Sequence, residues 1–303
     1  IEAVSIVTPN HIHFPAANAF LKAGIHVICD KPVTTSLKEA EDLAALVAKT
    51  GKLFILTHNY TGYPMIRQAR AMVAAGDLGE LRLVQAEYPQ DWLAEPAERS
   101  GSKQAEWRTD PARSGAGGAI GDIGTHAYNL AAFVTGLKTE QLLAQLTTFV
   151  EGRALDDDVQ VLLRYRGGAR GILWASQVAV GNENGLKLRV YGTKGGLEWT
   201  QADPNYLWYT RFGEPKQLIT RSGAGAGPSA ARVSRIPGGH PEGYLEAFAT
   251  IYSEAAAAIV AARTGRGPAA EIIYPGIEDG IEGMKFIEAA VASSKAGNVW
   301  TKV

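Results

Sequence analysis

AGIHVICDKP, residues 23 to 32, decides the fold. Gly24 closes one element, Ile25 to Cys29 is an apolar run of strand length, and Pro32 cannot continue a ladder. Lys31 therefore follows a buried strand directly, and its ammonium meets the carboxyl edge of a sheet, where open α/β folds hold their ligands. Alone, the same motif also describes a lysine solvated at a strand end, because strand-Lys-Pro is short and common.

Upstream, Ile1 to Thr8 reads as a strand, and Pro15 to Ala23 carries helical spacing of apolar residues. Downstream, Ser36 caps the helix LKEAEDLAALVAKTG, Glu39 completes a capping box, and Gly51 ends it before the strand Leu53 to Thr57. Strand, helix and strand with short connections form the parallel crossover unit, and its repetition predicts a Rossmann-type parallel sheet. The chain opens on IEAVSIVTPN, already a strand, so residues 1–58 are expected to be the C-terminal part of a dinucleotide-binding domain in a longer polypeptide.

From His58 the rhythm changes. A helix over Tyr63 to Ala75 leads through GDLG into the strand Leu81 to Glu87. Later strands come in series, at Leu142 to Val150, Val159 to Arg164, Gly171 to Ala179, Lys187 to Gly192, Gly195 to Trp199 and Leu207 to Tyr209. This order predicts a second α/β domain, residues 59–303, built on a large, mostly antiparallel open sheet. Ser222 to Gly239, rich in Gly, Ala and Ser, reads as a mobile surface loop. Helices over Gly243 to Thr264 and Gly276 to Ala296 close the chain, and the last is expected to pack back on the first domain.

Thirty basic and thirty-one acidic residues leave a net charge of −1, which gives no footprint for nucleic acid or an anionic membrane. The single cysteine forms no internal disulfide, no apolar stretch reads as a membrane span of roughly 20 residues, and no signal peptide opens the chain. The cytoplasm is the expected compartment. No metal is expected either, because the lone cysteine makes no thiolate cluster and the acidic run Asp156 to Asp158 reads as a solvated turn. No Gly-x-Ser-x-Gly elbow signals nucleophilic hydrolysis.

The second concentration of chemistry is GGAIGDIGTHAYNLAAFVTG, residues 117 to 136. Glycines precede a helix on which Ile123, Leu130, Ala131 and Val134 face one side, and Asp122 and His126 stand one turn apart. A carboxylate there can fix one imidazole tautomer and leave the other nitrogen to exchange a proton with a substrate hydroxyl. A helix cap followed by an interior histidine is the plainer alternative. SGAGGAIG and GAGAGP lack the Gly-x-Gly-x-x-Gly spacing of a dinucleotide loop.

Three further patches are candidates. Thr8, Pro9 and Asn10 follow the first strand at the edge shared with Lys31, with His11 and His13 close behind, as a ligand turn or a helix cap. Trp107 and Arg108 offer an aromatic plane and a planar cation to a sugar ring or cofactor amide, or simply pack on each other. His240 and Tyr244 stand at a helix start, as hydroxyl partners or as capping groups.

Lys31-Pro32 after a parallel strand, the TPNHIH turn one crossover earlier and GGAIGDIGTH about ninety residues later resemble the Gfo/Idh/MocA oxidoreductases over nearly the whole chain. The resemblance implies a Rossmann domain for NAD or NADP, with its glycine fingerprint upstream of Ile1. It also implies an open-sheet domain that pairs subunits as a homodimer or homotetramer. The family's catalytic lysine, aspartate and histidine fall on Lys31, Asp122 and His126, and Asp30 replaces the glutamate of its Glu-Lys-Pro motif. By the same carry-over, Thr8, Asn10, His13, Pro32, Trp107 and Arg108 would border the cofactor, and Gln90, Trp92, His240 and Tyr244 a sugar or cyclitol. The expected reaction is hydride transfer between nicotinamide and a secondary alcohol. His126 would act as base, Asp122 would steer it, and Lys31 would bind the reacting oxygen with a possible share of the base role. Glycoside hydrolysis by transient oxidation and a non-catalytic sugar or dinucleotide sensor are the rival expectations.

Overall fold

Two sheets organise the chain in the computed structural model, which describes residues 1–303. The first is parallel and runs in the order β1 (Ala3–Ile6), β2 (His26–Cys29), β3 (Phe54–Leu56). Its crossovers are α1 (Asn10–Lys22) and α2 (Leu37–Thr50). Ser36 accepts the Glu39 amide and Gly51 turns left-handed at φ 64°, so both boundaries of α2 lie where the capping chemistry places them.

α1 differs from the expectation: it starts at Asn10 and carries Pro15 inside. The proline removes only its own bond to the preceding turn and sits on the exposed face, while Asn10, His13, Ala17 and Leu21 keep a buried stripe.

A 3₁₀ turn over Asn59–Gly62 leads into α3 (Pro64–Ala74) and the second sheet. That sheet has nine strands, β4 (Leu81–Pro89), β5 (Thr139–Thr147), β6 (Asp158–Tyr165), β7 (Arg170–Ser176), β8 (Lys187–Gly192), β9 (Gly195–Thr200), β10 (Tyr206–Arg211), β11 (Gln217–Thr220) and β12 (Thr301–Lys302). Their order is β11-β10-β9-β8-β4-β7-β6-β5-β12, and every pair is antiparallel except β4 with β7. Between β4 and β5 lie the short helices α4 (Lys103–Arg108) and α5 (Pro111–Ser114), then a π-helical turn over Ile120–Gly124 that runs into α6 (Thr125–Thr135). One sheet face is covered by α3, α6 and α9 (Ile277–Lys295). The other is open and exposes Leu83, Leu162, Ile172, Trp208 and Leu218.

α9 lies across both sheets' helical layers: the Leu37 amide donates to Glu288 at 2.8 Å, and Gly280 passes so close to Val33 that a Cβ would meet its side chain at 2.8 Å.

Three expectations need correction. The acidic run is not a solvated turn: Asp156, Asp157 and Asp158 are all buried, because each carboxylate finds donors. Asp157 accepts the Phe149 and Val150 amides and pairs with Arg153, which ends β5 three residues before the expected Val150. Asp158 accepts the Trp174 indole. Ser222 to Gly239 is not a plain surface loop, for it contains α7 (Pro228–Ala231), buries Ala230 and Val233, and is anchored by buried Arg221 donating to the Ile236 and Pro237 carbonyls. Finally, α8 (Tyr244–Arg263) is long and apolar enough to cross a membrane by length and composition, because its alanines raise the mean hydropathy. It packs Ala247, Ile251 and Ala255 into the interior and buries Glu254 against Arg67 and Arg232.

Candidate active site

The carboxyl edge of the parallel sheet and the N-terminus of α6 meet across a cleft of about 390 Å³. Lys31, Asp122 and His126 line it together, as do Arg108, Gln90, Trp92 and Tyr244. Lys31 arrives on the Asp30-Lys31-Pro32 turn that ends β2, with a cis peptide bond before Pro32. Asp122 sits in the π turn. Such a turn inserts a residue into the helical ladder and re-aims its side chains, which is why π turns recur at functional sites.

Lys31 Nζ donates to the Asp122 carboxylate at 2.8 Å and also to the Asp122 backbone carbonyl. The second carboxylate oxygen accepts Gln177 Nε2 at 2.9 Å and lies 3.3 Å from Arg108 Nε. Burial alone would raise the Asp122 pKa, but Lys31 and Arg108 outweigh it and hold it at about 2. Arg108 in turn stacks over Trp107 at 4.1 Å and reaches Trp92 at 5.8 Å.

The expected steering of His126 by Asp122 is not what the geometry offers, since two cations and an amide occupy that carboxylate. The imidazole instead stands in an aromatic box, edge-on to Tyr60 at 4.9 Å and His58 at 5.4 Å, with Tyr88 at 6.2 Å. Its Nδ1 is buried without a partner. Burial drives its pKa well below the ordinary value, with Lys31 and His58 adding to the shift, so His126 is neutral at physiological pH. His58 behaves likewise, held at about 3 by burial and then by Lys31.

The other candidates divide. Gln90 lies on the wall, where its amide and the Tyr88 hydroxyl both donate to Asn184 Oδ1 at 2.7 Å. Tyr60 and Tyr88 share a hydroxyl hydrogen bond behind it. Thr8, Asn10, His13, Pro32 and Trp107 lie outside the cleft lining. The early start of α1 turns Asn10 and His13 inward: Asn10 donates to the Ser114 carbonyl at 3.0 Å, and His13 bridges the Pro32 and Thr8 carbonyls at 2.8 and 2.9 Å. His13 thus ties the turns after β1 and β2 together, and Asn10 ties α1 to α5. His11 Nδ1 is buried without a partner. His240 is exposed and outside the cleft, and only its backbone is engaged, its carbonyl by Arg221 and its amide by the Pro237 carbonyl.

Sequence reasoning passed over Asp30, Thr57, Asn59, Tyr60 and Tyr88, all of which line the cleft, and Gln177, which holds Asp122. One signal was available: THNYTGY follows β3 as DKP follows β2, so the rule that singled out Lys31 applies equally to residues 57 to 63. Asn59 has a further property, for its side-chain nitrogen is a buried donor with no partner at this edge. Such a donor is completed by a polar ligand group, so the edge suits the amide and hydroxyl oxygens of a nicotinamide nucleotide.

Known proteins fit this picture. Residues 1–69 match the oxidoreductase family with an NAD-binding Rossmann fold, and residues 66–198 match the GFO/IDH/MocA C-terminal domain. The uncharacterized oxidoreductase YfiI of Bacillus subtilis (strain 168) is 36% identical over 305 residues, covering 100% of this chain and 78% of that protein. A solved inositol dehydrogenase homolog of Azotobacter vinelandii, complexed with NADH and myo-inositol, superposes with a TM-score of 0.92 at 36% identity, covering 100% of this chain and 78% of that one. Levoglucosan dehydrogenase, solved with NADH and levoglucosan, gives a TM-score of 0.86 at 26% identity over 100% of this chain and 80% of that one. The levoglucosan dehydrogenase of Pseudarthrobacter phenanthrenivorans is 28% identical over 220 residues, a match spanning 65% of this chain and 55% of that protein.

Proposed function

The chain belongs to the Gfo/Idh/MocA oxidoreductases, and on that premise we propose that it is an NAD(P)-dependent dehydrogenase acting on a ring secondary alcohol of a sugar, anhydrosugar or cyclitol. The observation that carries this reading is the convergence of the Lys31 ammonium and the His126 imidazole on one cleft at the carboxyl edge of the parallel sheet. When bound, the dinucleotide supplies a two-electron acceptor for the hydride of the carbinol carbon.

An ammonium has three donors, and Lys31 gives two of them to Asp122. The third is left for the substrate oxygen, where it stabilises the alkoxide that develops as the hydride leaves. His126 is neutral and its Nδ1 is sealed from the cleft, so Nε2 takes the hydroxyl proton. Asp122 stays ionised and keeps the two cations in place.

Lys31 and Arg108 share the cleft lining with Asp30 and Asp122, so the formal charges cancel and favour an uncharged substrate. Gln90 and the tyrosine hydroxyls suit ring hydroxyls, and the Trp92 face suits ring C–H groups. The substrates named for the inositol dehydrogenase homolog and levoglucosan dehydrogenase are of this class. The open sheet face, with Leu83, Leu162, Ile172 and Trp208, would pair subunits, and the buried lone Cys29 suits a reducing cytoplasm.

The test is a panel of neutral polyols with NAD and NADP on the full-length protein, together with Lys31→Ala, Asp122→Ala and His126→Ala. Turnover should fall steeply in each variant while dinucleotide affinity holds, and unimpaired turnover in any of them removes that residue from the scheme. Release of free aglycone without net reduction would instead make the protein a glycoside hydrolase, and binding without reduction would make it a sensor.

A further inference from the structure

The residue on which the cleft's carboxylate depends lies outside the cleft. We infer that Asp156 is a positioning residue: it fixes the π turn that carries Asp122, and through Asp122 it fixes Lys31, without touching substrate.

Three consecutive amides of the glycine run end on this one residue. Gly118 N donates to Asp156 Oδ1 at 2.7 Å, Ile120 N to Oδ2 at 2.9 Å, and Ala119 N to the Asp156 carbonyl at 2.9 Å. These are amides at the start of a helical segment, which lack partners within it. The position then propagates, because the Gly118 carbonyl accepts the Asp122 amide at 2.9 Å. From the other side, the Asp157 carbonyl accepts the Gln177 amide at 2.8 Å, and the Gln177 side chain donates to Asp122 Oδ2. Asp122 is thus held through its backbone by Asp156 and through its carboxylate by a residue anchored on Asp157. The approach is closed: a Cβ on Gly118 would stand 2.1 Å from the Asp156 carbonyl oxygen.

Only an ionised carboxylate serves two amides with two acceptor oxygens, since a carboxylic acid or a carboxamide turns one of its atoms into a donor. The fold keeps that charge against its own burial, which moves the Asp156 pKa from 3.8 to about 6 even though the Ile120 and Gly118 amides oppose the shift and Asp157 adds to it. Of the surrounding groups, Asp157 is paired with Arg153 and Asp158 with the Trp174 indole, Asp122 is held at about 2, and His126 lies well below its ordinary range. An inflection near 6 that disappears on Asp156→Asn is therefore the signature of this carboxylate.

The experiment compares wild type with Asp156→Asn, and its kinetic half rests on the dehydrogenase reading. Wild-type kcat should fall as the pH drops through about 6. Asp156→Asn, which lacks one acceptor at every pH, should run about tenfold below wild type at neutral pH with no inflection near 6 and an unchanged KM for the dinucleotide. A second measurement needs no substrate. The folded-state pKa of Asp156 lies above the unfolded one, so its own contribution to stability is lost as the pH rises from about 4 to about 6, against the opposite trend of the buried neutral His58 and His126; the stability of wild type relative to Asp156→Asn, read from the two thermal melting profiles, should therefore fall across that window. A variant with wild-type kcat, or one that keeps the inflection, overturns the inference. Should the variant not fold, a flat wild-type kcat across pH 5 to 7 (about the window of the shift) overturns it equally. If no polyol reduces either dinucleotide, the dehydrogenase reading fails, and equal melting slopes would then refute the Asp156 assignment on their own.

Discussion

Lys31 and Asp122 touch, yet the two regions that deliver them are built on opposite principles. The edge of β2 is regular: a four-residue strand, a proline stop, and a lysine whose place follows from the ladder. The glycine run is irregular, a π turn whose shape comes from a buried carboxylate thirty-odd positions later in the chain. A side chain on a regular edge is placed by backbone rules, whereas one on an irregular turn is placed by whatever holds the turn.

The largest effect should come from breaking the contact between the two regions. Lys31→Ala removes the donor to the reacting oxygen and releases Asp122, and kcat should fall by about 10³-fold with dinucleotide binding intact, read by steady-state kinetics and a binding titration. Next comes the irregular side itself. Gly118→Ala drives a methyl into the Asp156 backbone and should destabilise the protein by about 3 kcal/mol in denaturant unfolding. A smaller loss should follow Gln177→Leu, which takes one amide donor from Asp122 and should lower kcat about tenfold at unchanged melting temperature. The sharpest control is the smallest effect. Gly121, in the same turn, has open space around its Cβ position and no positive φ, so Gly121→Ala should change stability by less than about 1 kcal/mol. Equal damage at Gly118 and Gly121 would sink the claim that Asp156 is what shapes the turn.

The same contrast explains what could be read from the residues alone. The crossover helices and parallel strands were legible because caps, glycine stops and short apolar runs are local signals, as at Ser36 and Gly51. Lys31, Asp122 and His126 were legible as a trio, but their wiring was not. Nothing local says that Asp122 turns to Lys31, Arg108 and Gln177 rather than to His126, because those partners lie 91, 14 and 55 positions away. Asp156 was misread for the same reason: three consecutive aspartates look solvated until Gly118, Arg153 and Trp174 are seen beside them. The edge strands β11 and β12 escaped notice because four and two residues carry too little alternation to register.

The separation of 91 positions between Lys31 and Asp122 has a consequence for how the molecule comes into being. Neither half owns the pair, so a chain still emerging from the ribosome can finish its first sheet and remain inert until the second has formed and docked. The moment at which the ammonium first finds its carboxylate marks the completion of assembly, and the first catalytic turnover would be its clock.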